Sequence, residues 1–240
     1  MTGGPATPAR MAAGTERGWK PAGFWRRYLA WSLDLLLLSP LLLLLLLSPL
    51  RRASGAWQSL QASLQQWILD RVIAADGTMA DPMALAHALL ADPANNALIN
   101  RQMAQISAAI GQASLLAVCV LAVYFIAFES SRWQATPGKR LLGIRVQSLD
   151  GGPLGLANTG MRFFAGSLSW LSLNLGHALA AWRHDGRALH DLLSGARVVS
   201  ATPMPGWARA LLWGQVAAGV LLFAGVLLRL FWLLGQLAAL

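Results

Sequence analysis

Residues 26–52 read RRYLAWSLDLLLLSPLLLLLLLSPLRR, and this stretch decides the fold. Between Arg27 and Arg51 the only charge is Asp34. As a helix the segment reaches roughly 35 Å, enough to cross the ~30 Å hydrocarbon core of a bilayer. A cleaved secretory leader is the competing reading, because Ala53-Ser54-Gly55-Ala56 resembles a small-residue cleavage site. Against it, the charged leader is too long, the apolar core exceeds the usual ~7–15 residues, and Arg51-Arg52 follow directly. An uncleaved anchor is expected.

The rest of the chain has the same character. Of its 240 residues 56% are hydrophobic and 12% charged, where soluble domains carry about 25% charged residues, and the mean hydropathy is +0.50. The apolar residues come in blocks, the pattern of a chain for which lipid is part of the solvent. A net charge of +9 would suggest nucleic acid in a soluble protein. Here the arginines and lysines sit in short tracts beside the apolar blocks, and no basic helix with interleaved aromatics forms a groove-reading surface, so nucleic acid is not an expected partner. Cys119 lies inside an apolar run with no CxxC spacing and is read as an inert packing residue.

Working outward, residues 1–22 are rich in Gly, Pro, Ala and Thr and predict a flexible tail. Residues 51–101 balance Arg51, Arg52, Arg71 and Arg101 with Asp70, Asp76, Asp81 and Asp92. Trp57, Leu60, Leu64, Trp67 and Ile68 recur there at helical spacing, and Asp81-Pro82 and Asp92-Pro93 each offer an N-cap followed by proline. The expectation is two short amphipathic helices and the start of a third, running from Pro93 through the uncharged stretch 102–128 as a second span. Residues 133–156 carry Ile144-Arg145-Val146-Gln147, alternating like a strand, and the turn signal Asp150-Gly151-Gly152-Pro153. A third apolar block, Phe163 to Trp182, contains Ser169, Ser172, Asn174 and Gly176; it either spans or re-enters as a broken helical pair. Ala196-Arg197-Val198-Val199 is strand-like and matches Ile144-Arg145-Val146. Leu211 to Leu228 is long enough for a further span.

The fold class expected is therefore mainly α: a polytopic helical membrane protein with three to four membrane segments, a small cytoplasmic β element and a helical periplasmic insert. Five basic residues against Glu16 precede the first span, whereas the 51–101 segment is neutral. Charge asymmetry then places the N-terminus in the cytoplasm, the insert in the periplasm, and the loop around Lys139-Arg140 in the cytoplasm.

Three motifs carry a resemblance: Gly23-Phe24-Trp25-Arg26-Arg27-Tyr28-Leu29-Ala30-Trp31-Ser32-Leu33-Asp34; then Thr136-Pro137-Gly138-Lys139-Arg140-Leu141-Leu142-Gly143; then Leu189-His190-Asp191 before Gly195-Ala196-Arg197. In this order the chain resembles the RDD family of bacterial membrane proteins. The arginine and two aspartates for which that family is named fall on Arg27, Asp34 and Asp191. The resemblance covers residues 23–200, interrupted by the 51–101 insert and followed by an additional apolar helix over 206–236. It implies a multi-pass protein of the bacterial inner membrane, with transport or ion exchange as the activity often proposed for relatives.

Asp34 is the most informative residue, because a carboxylate inside a lipid-facing helix costs about 2.5–3.5 kcal/mol on insertion scales. Arg27, two turns earlier on the same face, and Arg162, at the mouth of the third block, are its candidate partners. Arg27, Asp34 and Asp191 are expected to form one centre, with Lys139, Arg140 and Arg162 as counter-charges. Asp191 is expected to cap, or to pair with Lys139, Arg140 or Arg187. His184-Asp185 and His190-Asp191 do not read as metal ligands, since on a helix the pairs point about 120° apart. No cofactor is expected, and the absence of GxSxG, HExxH and P-loop motifs argues against an enzyme. Two functions remain: proton-coupled or small-ion transport centred on Asp34, and a non-catalytic scaffold or assembly partner working through the periplasmic insert. The partners expected are the lipid bilayer and a membrane protein or second copy of the chain.

Overall fold

The computed structural model describes residues 18–74, 81–171 and 175–237. The elements are β1 (Lys20–Pro21), α1 (Phe24–Ala74), α2 (Pro82–Ala91), α3 (Pro93–Ser130), α4 (Pro137–Leu141), β2 (Ile144–Ser148), α5 (Leu156–Leu171), α6 (Leu175–Trp182), α7 (Leu189–Leu193), β3 (Ala196–Ser200) and α8 (Gly206–Leu237). Among the described residues three helices are long and apolar enough to cross a membrane: α1, α3 and Gly206–Gln236 of α8. Their exposed surfaces are leucine-rich, as at Leu36, Leu37, Leu43 and Leu44 of α1 and Leu221, Leu222 and Phe223 of α8. Side chains of this kind turned outward are stable only against lipid or another apolar surface.

Two sequence expectations change at α1. The helix has 51 residues and passes through Pro40, Pro49 and Arg51-Arg52 without interruption. Residues 51–74 are thus a continuation of the span, not a separate short helix. At 1.5 Å per residue α1 is roughly 77 Å long, more than twice the bilayer core. The tail expected to be flexible through residue 22 ends in structure instead: Lys20 and Pro21 pair with Ser200 and Val199, and the Ala22 amide donates to the Val198 carbonyl at 2.9 Å. Residues 1–17 lie outside the described residues. Cys119, expected to be packed, is exposed on α3.

The chain divides into two compact units, Leu38–Leu121 and the remainder, with the boundaries falling inside α1 and α3. In the Leu38–Leu121 unit, Ala56, Leu60, Ala109 and Ala113 are buried, and the Arg52 guanidinium donates to the Gln112 amide oxygen. Asp81 caps α2 by accepting from the Met83 amide at 3.1 Å. Asp92 accepts from the Ala94 amide at 2.9 Å ahead of α3. Each Asp-Pro pair therefore starts a helix, since the carboxylate satisfies an orphan amide and proline occupies the first position, where no donor is needed.

The other unit is built on a three-stranded antiparallel sheet of order β1-β3-β2. Ile144 pairs with Ser200 and Val146 with Val198, so the expected pairing of 144–146 with 197–199 is present. Ile144 and Val146 point into a core with Ala22, Leu29, Ala30, Leu142, Leu154, Val198, Ala208 and Leu212, while Arg145 points out. The first turns of α8 are anchored through Ala208 and Leu212 and by the Gln215 amide donating to Ser32 Oγ at 3.2 Å. The block Phe163 to Trp182 falls on two helices, the later part of α5, which begins at Leu156, and the 8 residues of α6. The interruption expected at Asn174 lies outside the described residues. Gly176 sits where α6 meets α5: a Cβ there would collide with the Ser169 side chain.

Candidate functional site

The candidate centre begins with the start of α1. Arg27 reaches away from its own helix: Nε donates to the Ala22 carbonyl at 2.9 Å, Nη2 to the Gly186 carbonyl at 2.6 Å, and Nη1 to Asp191 Oδ2 at 2.5 Å. Asp191, in the first turn of α7, also accepts from Arg162 Nε at 2.9 Å and from the Ala188 amide at 3.0 Å. Arg162 of α5 passes on to the Glu129 carboxylate at the end of α3, and the Lys139 ammonium of α4 pairs with the other oxygen of Glu129. The result is a chain of alternating charge, Arg27, Asp191, Arg162, Glu129, Lys139, with every side chain buried or nearly so.

Physical causes of the charge states can be assigned for the groups outside the three spans. Burial by itself would raise the Asp191 carboxyl, but the guanidinium groups of Arg162 and Arg27 outweigh it and hold Asp191 well below the usual carboxylate range. Burial works against the Arg162 cation too, yet Glu129 and Asp191 together raise it above the ordinary arginine value. For Lys139 burial wins and its ammonium is lowered, although Glu129 opposes the shift. Burial and then the Arg162 charge push the His190 imidazole down to about 3. His190 is therefore neutral at pH 7, and its 3.4 Å contact with Asp191 Oδ1 is no ion pair.

Asp34 occupies a different environment. It is fully buried, and its donors are neutral: Tyr124 Oη at 2.7 Å and the Gly138 amide at 2.7 Å to Oδ1, and Thr136 Oγ1 at 2.5 Å to Oδ2. Thr136 is the N-cap of α4 and also accepts from the Lys139 amide at 3.4 Å. Gly138 has to be glycine, because a Cβ would stand 2.8 Å from Asp34 Oδ1 and collide with the Ala30 carbonyl. The sequence Thr136-Pro137-Gly138 thus packs the first turn of α4 directly against α1, offering an otherwise unpaired amide to the carboxylate.

The expected partners are accordingly redistributed. Neither Arg27 nor Arg162 pairs with Asp34, although the seven-residue spacing puts Arg27 on its face; both are committed to Asp191, and Arg162 to Glu129 as well. Asp191 does not pair with Lys139 or Arg140, and Arg187 reaches only its carbonyl, at 3.1 Å. Arg140 lies over the Trp133 ring at 4.3 Å, away from the acids. Lys139 finds Glu129. The sequence alone singled out neither Glu129 nor Tyr124, whose phenol is the polar handle that a buried carboxylate needs. Arg26 was also passed over: it ties α1 to the α4–β2 turn by donating from Nε to the Leu142 carbonyl at 2.8 Å.

The centre thus gathers three basic side chains, Arg27, Lys139 and Arg162, and three acidic ones, Asp34, Glu129 and Asp191, from α1, α3, α4, α5 and α7. The RDD family model matches residues 21–195, ending before α8. A Bacillus subtilis (strain 168) protein described as uncharacterized protein YxaI is 23% identical over 180 residues, which cover 75% of this chain and 97% of that protein. A second from the same organism, uncharacterized protein YckC, is 38% identical over 71 residues, 28% of this chain and 47% of that protein. No solved structure matches the chain. The chain belongs to the RDD family.

Proposed function

We propose that this RDD family membrane protein binds and releases protons or small cations at Asp34, in transport coupled to an ion gradient. The observation that carries the reading is the difference in donors: Asp34 is fully buried and bound by two hydroxyls and an amide, while the basic groups of the centre are bound to Glu129 and Asp191. A hydroxyl donates to a carboxylate and can turn to accept from a carboxylic acid. Tyr124 and Thr136 can thus serve either protonation state, whereas a guanidinium serves only one. Arg27, Asp191, Arg162, Glu129 and Lys139 then form the rigid frame that holds α4 against Asp34. Titratable groups buried within membrane proteins mark ion pathways more often than chance.

Around this centre we assign residues 23–200 to the membrane domain, with 51–101 as its periplasmic insert and α8 as an added span. The membrane is the bacterial inner membrane and the N-terminus is cytoplasmic. The five basic residues ahead of the apolar run of α1, the last two in its first turn, support this orientation. The joining of residues 20–21, 144–148 and 196–200 in one sheet supports a common side for the segments that carry them. The test is dissipation of a pH gradient by purified protein in proteoliposomes, run in sodium, potassium and lithium salts. Gradient loss faster than in empty vesicles in at least one salt supports the reading, and a rate no faster than that of empty vesicles in every salt contradicts it.

A second reading rests on α2. None of its residues is buried, and Met83 and Leu90 are each 66% exposed. An apolar helix left open in this way suits a non-catalytic scaffold or assembly role, in which the insert docks on a membrane-protein partner or a second copy. Crosslinking from a photoreactive group at Met83 in intact cells separates the two readings. A discrete adduct that survives Asp34→Asn favours assembly.

A further inference from the structure

The five-residue helix α4 serves two places at once. Lys139 turns inward to Glu129, while Arg140 turns outward onto the Trp133 ring. Outside lies a basin of about 450 Å³ whose lining includes Trp19, Arg132, Trp133, Arg140, Arg145 and Thr202, a size within the range of about 300–1,000 Å³ of small-ligand sites. Among the described residues Arg132, Arg140 and Arg145 form no ion pair. Arg145 lies over the Trp19 ring at 5.3 Å, as Arg140 lies over Trp133. Both indoles therefore hold a guanidinium in place without neutralising it.

The origin of these residues says what they meet. Trp19 comes just before α1, Arg132 and Trp133 just after α3, and Thr202 just before α8. The basin thus gathers chain from the ends of all three helices able to cross a membrane, the level at which tryptophan and arginine contact lipid headgroups. Guanidinium groups recognise phosphate by parallel charge-assisted hydrogen bonds. We propose that this basin is a phosphate-binding site, with the headgroup of an anionic phospholipid as the source at this depth. The site is separate from Asp34 and stands or falls independently of the transport reading.

Full-length protein in neutral detergent is titrated calorimetrically with short-chain phosphatidylglycerol, with the matching phosphatidylcholine, and with inorganic phosphate. Phosphatidylglycerol is expected to bind saturably and at least about tenfold more tightly than phosphatidylcholine, and Arg140→Gln/Arg145→Gln to weaken it by on the order of tenfold or more. Inorganic phosphate binding with the same sensitivity to the double variant supports the site and makes free phosphate its source. Should the double variant fail to fold, Arg132→Gln provides the same comparison. The proposal is overturned if neither phosphatidylglycerol nor phosphate binds saturably, if both lipids bind equally, or if the folded variant binds as the wild type does.

Discussion

Asp34 and Asp191 are both fully buried, yet one is held by hydroxyls and an amide and the other by two guanidinium groups. The contrast separates two uses of a buried acid. Asp191 sits among fixed positive charges that keep it ionised, so it fastens α7 to α1 and α5 and stays charged at any pH the cell meets. Asp34 has partners that tolerate both of its protonation states. One region of the centre is a clamp, and the other is where the proposed function places a change of charge.

Breaking the clamp should give the largest effect. Arg162→Met removes the cation shared by Glu129 and Asp191 and leaves two buried carboxylates short of a partner. Loss of one member of a buried pair costs about 3–5 kcal/mol, so this variant is expected to lose most of its membrane abundance. Quantitative blotting of washed membranes, with thermal stability in detergent, reads the outcome; wild-type abundance would show that the network holds nothing together.

Gly138→Ala tests the other region by geometry. The added methyl would meet Asp34 Oδ1 at 2.8 Å, and overpacking of this kind costs about 1–3 kcal/mol. The Thr136–Asp34 contact should open, so stability in detergent falls by less than in Arg162→Met, while activity per folded protein falls steeply.

The charge state of His190 gives a pH signature on the clamp side. Its folded-state value, about 3, lies below the unfolded value of about 6.5, so the unfolded chain takes up a proton that the native imidazole refuses. The His190 contribution to stability should be constant above pH 7, decline as pH falls through about 6.5, and keep declining toward 3. Asp191 adds little slope above about pH 5, because its contribution is lost only as pH falls through its unfolded value of about 3.9 and below. Denaturation midpoints at pH 7.5, 6 and 5 measure the slope, and His190→Gln should flatten it; an equal slope in the variant assigns it to another group.

Tyr124→Phe should have the smallest effect. It deletes one of three donors to Asp34, and a single hydrogen bond contributes about 0.5–1.5 kcal/mol. A shift of a few degrees in melting temperature is expected, with a displaced pH profile of activity. A shift as large as that of Arg162→Met would place Tyr124 in the clamp.

These distinctions were only partly legible in the sequence. Uncharged runs marked α1, α3 and α8 because a bilayer core excludes charge, and the Asp-Pro pairs marked α2 and α3 because capping is local chemistry. The alternation of Ile144, Arg145 and Val146 was enough to predict the partner strand. Continuity of α1 past Arg51-Arg52 was not legible: paired charges mark the end of an apolar run, whereas the helical backbone runs on through them to Ala74. Pairing inside the centre was hidden for another reason. Spacing along one helix favoured Arg27 beside Asp34, whereas Arg27 is committed to Asp191, a residue 164 positions away. Glu129 looked like a terminal charge because both of its cations come from later segments, α4 and α5.

Under the proposed function Asp34 acts by changing its charge. Asp34→Asn keeps the shape of the side chain and removes its titration, so the decisive measurement is pH-gradient dissipation per folded protein in proteoliposomes carrying equal amounts of wild type and Asp34→Asn. The variant is expected to be incorporated and to melt within a few degrees of wild type, while its flux falls to the level of empty vesicles. Wild-type flux per folded protein from Asp34→Asn, or a loss of flux that only tracks a loss of folded protein, would contradict it.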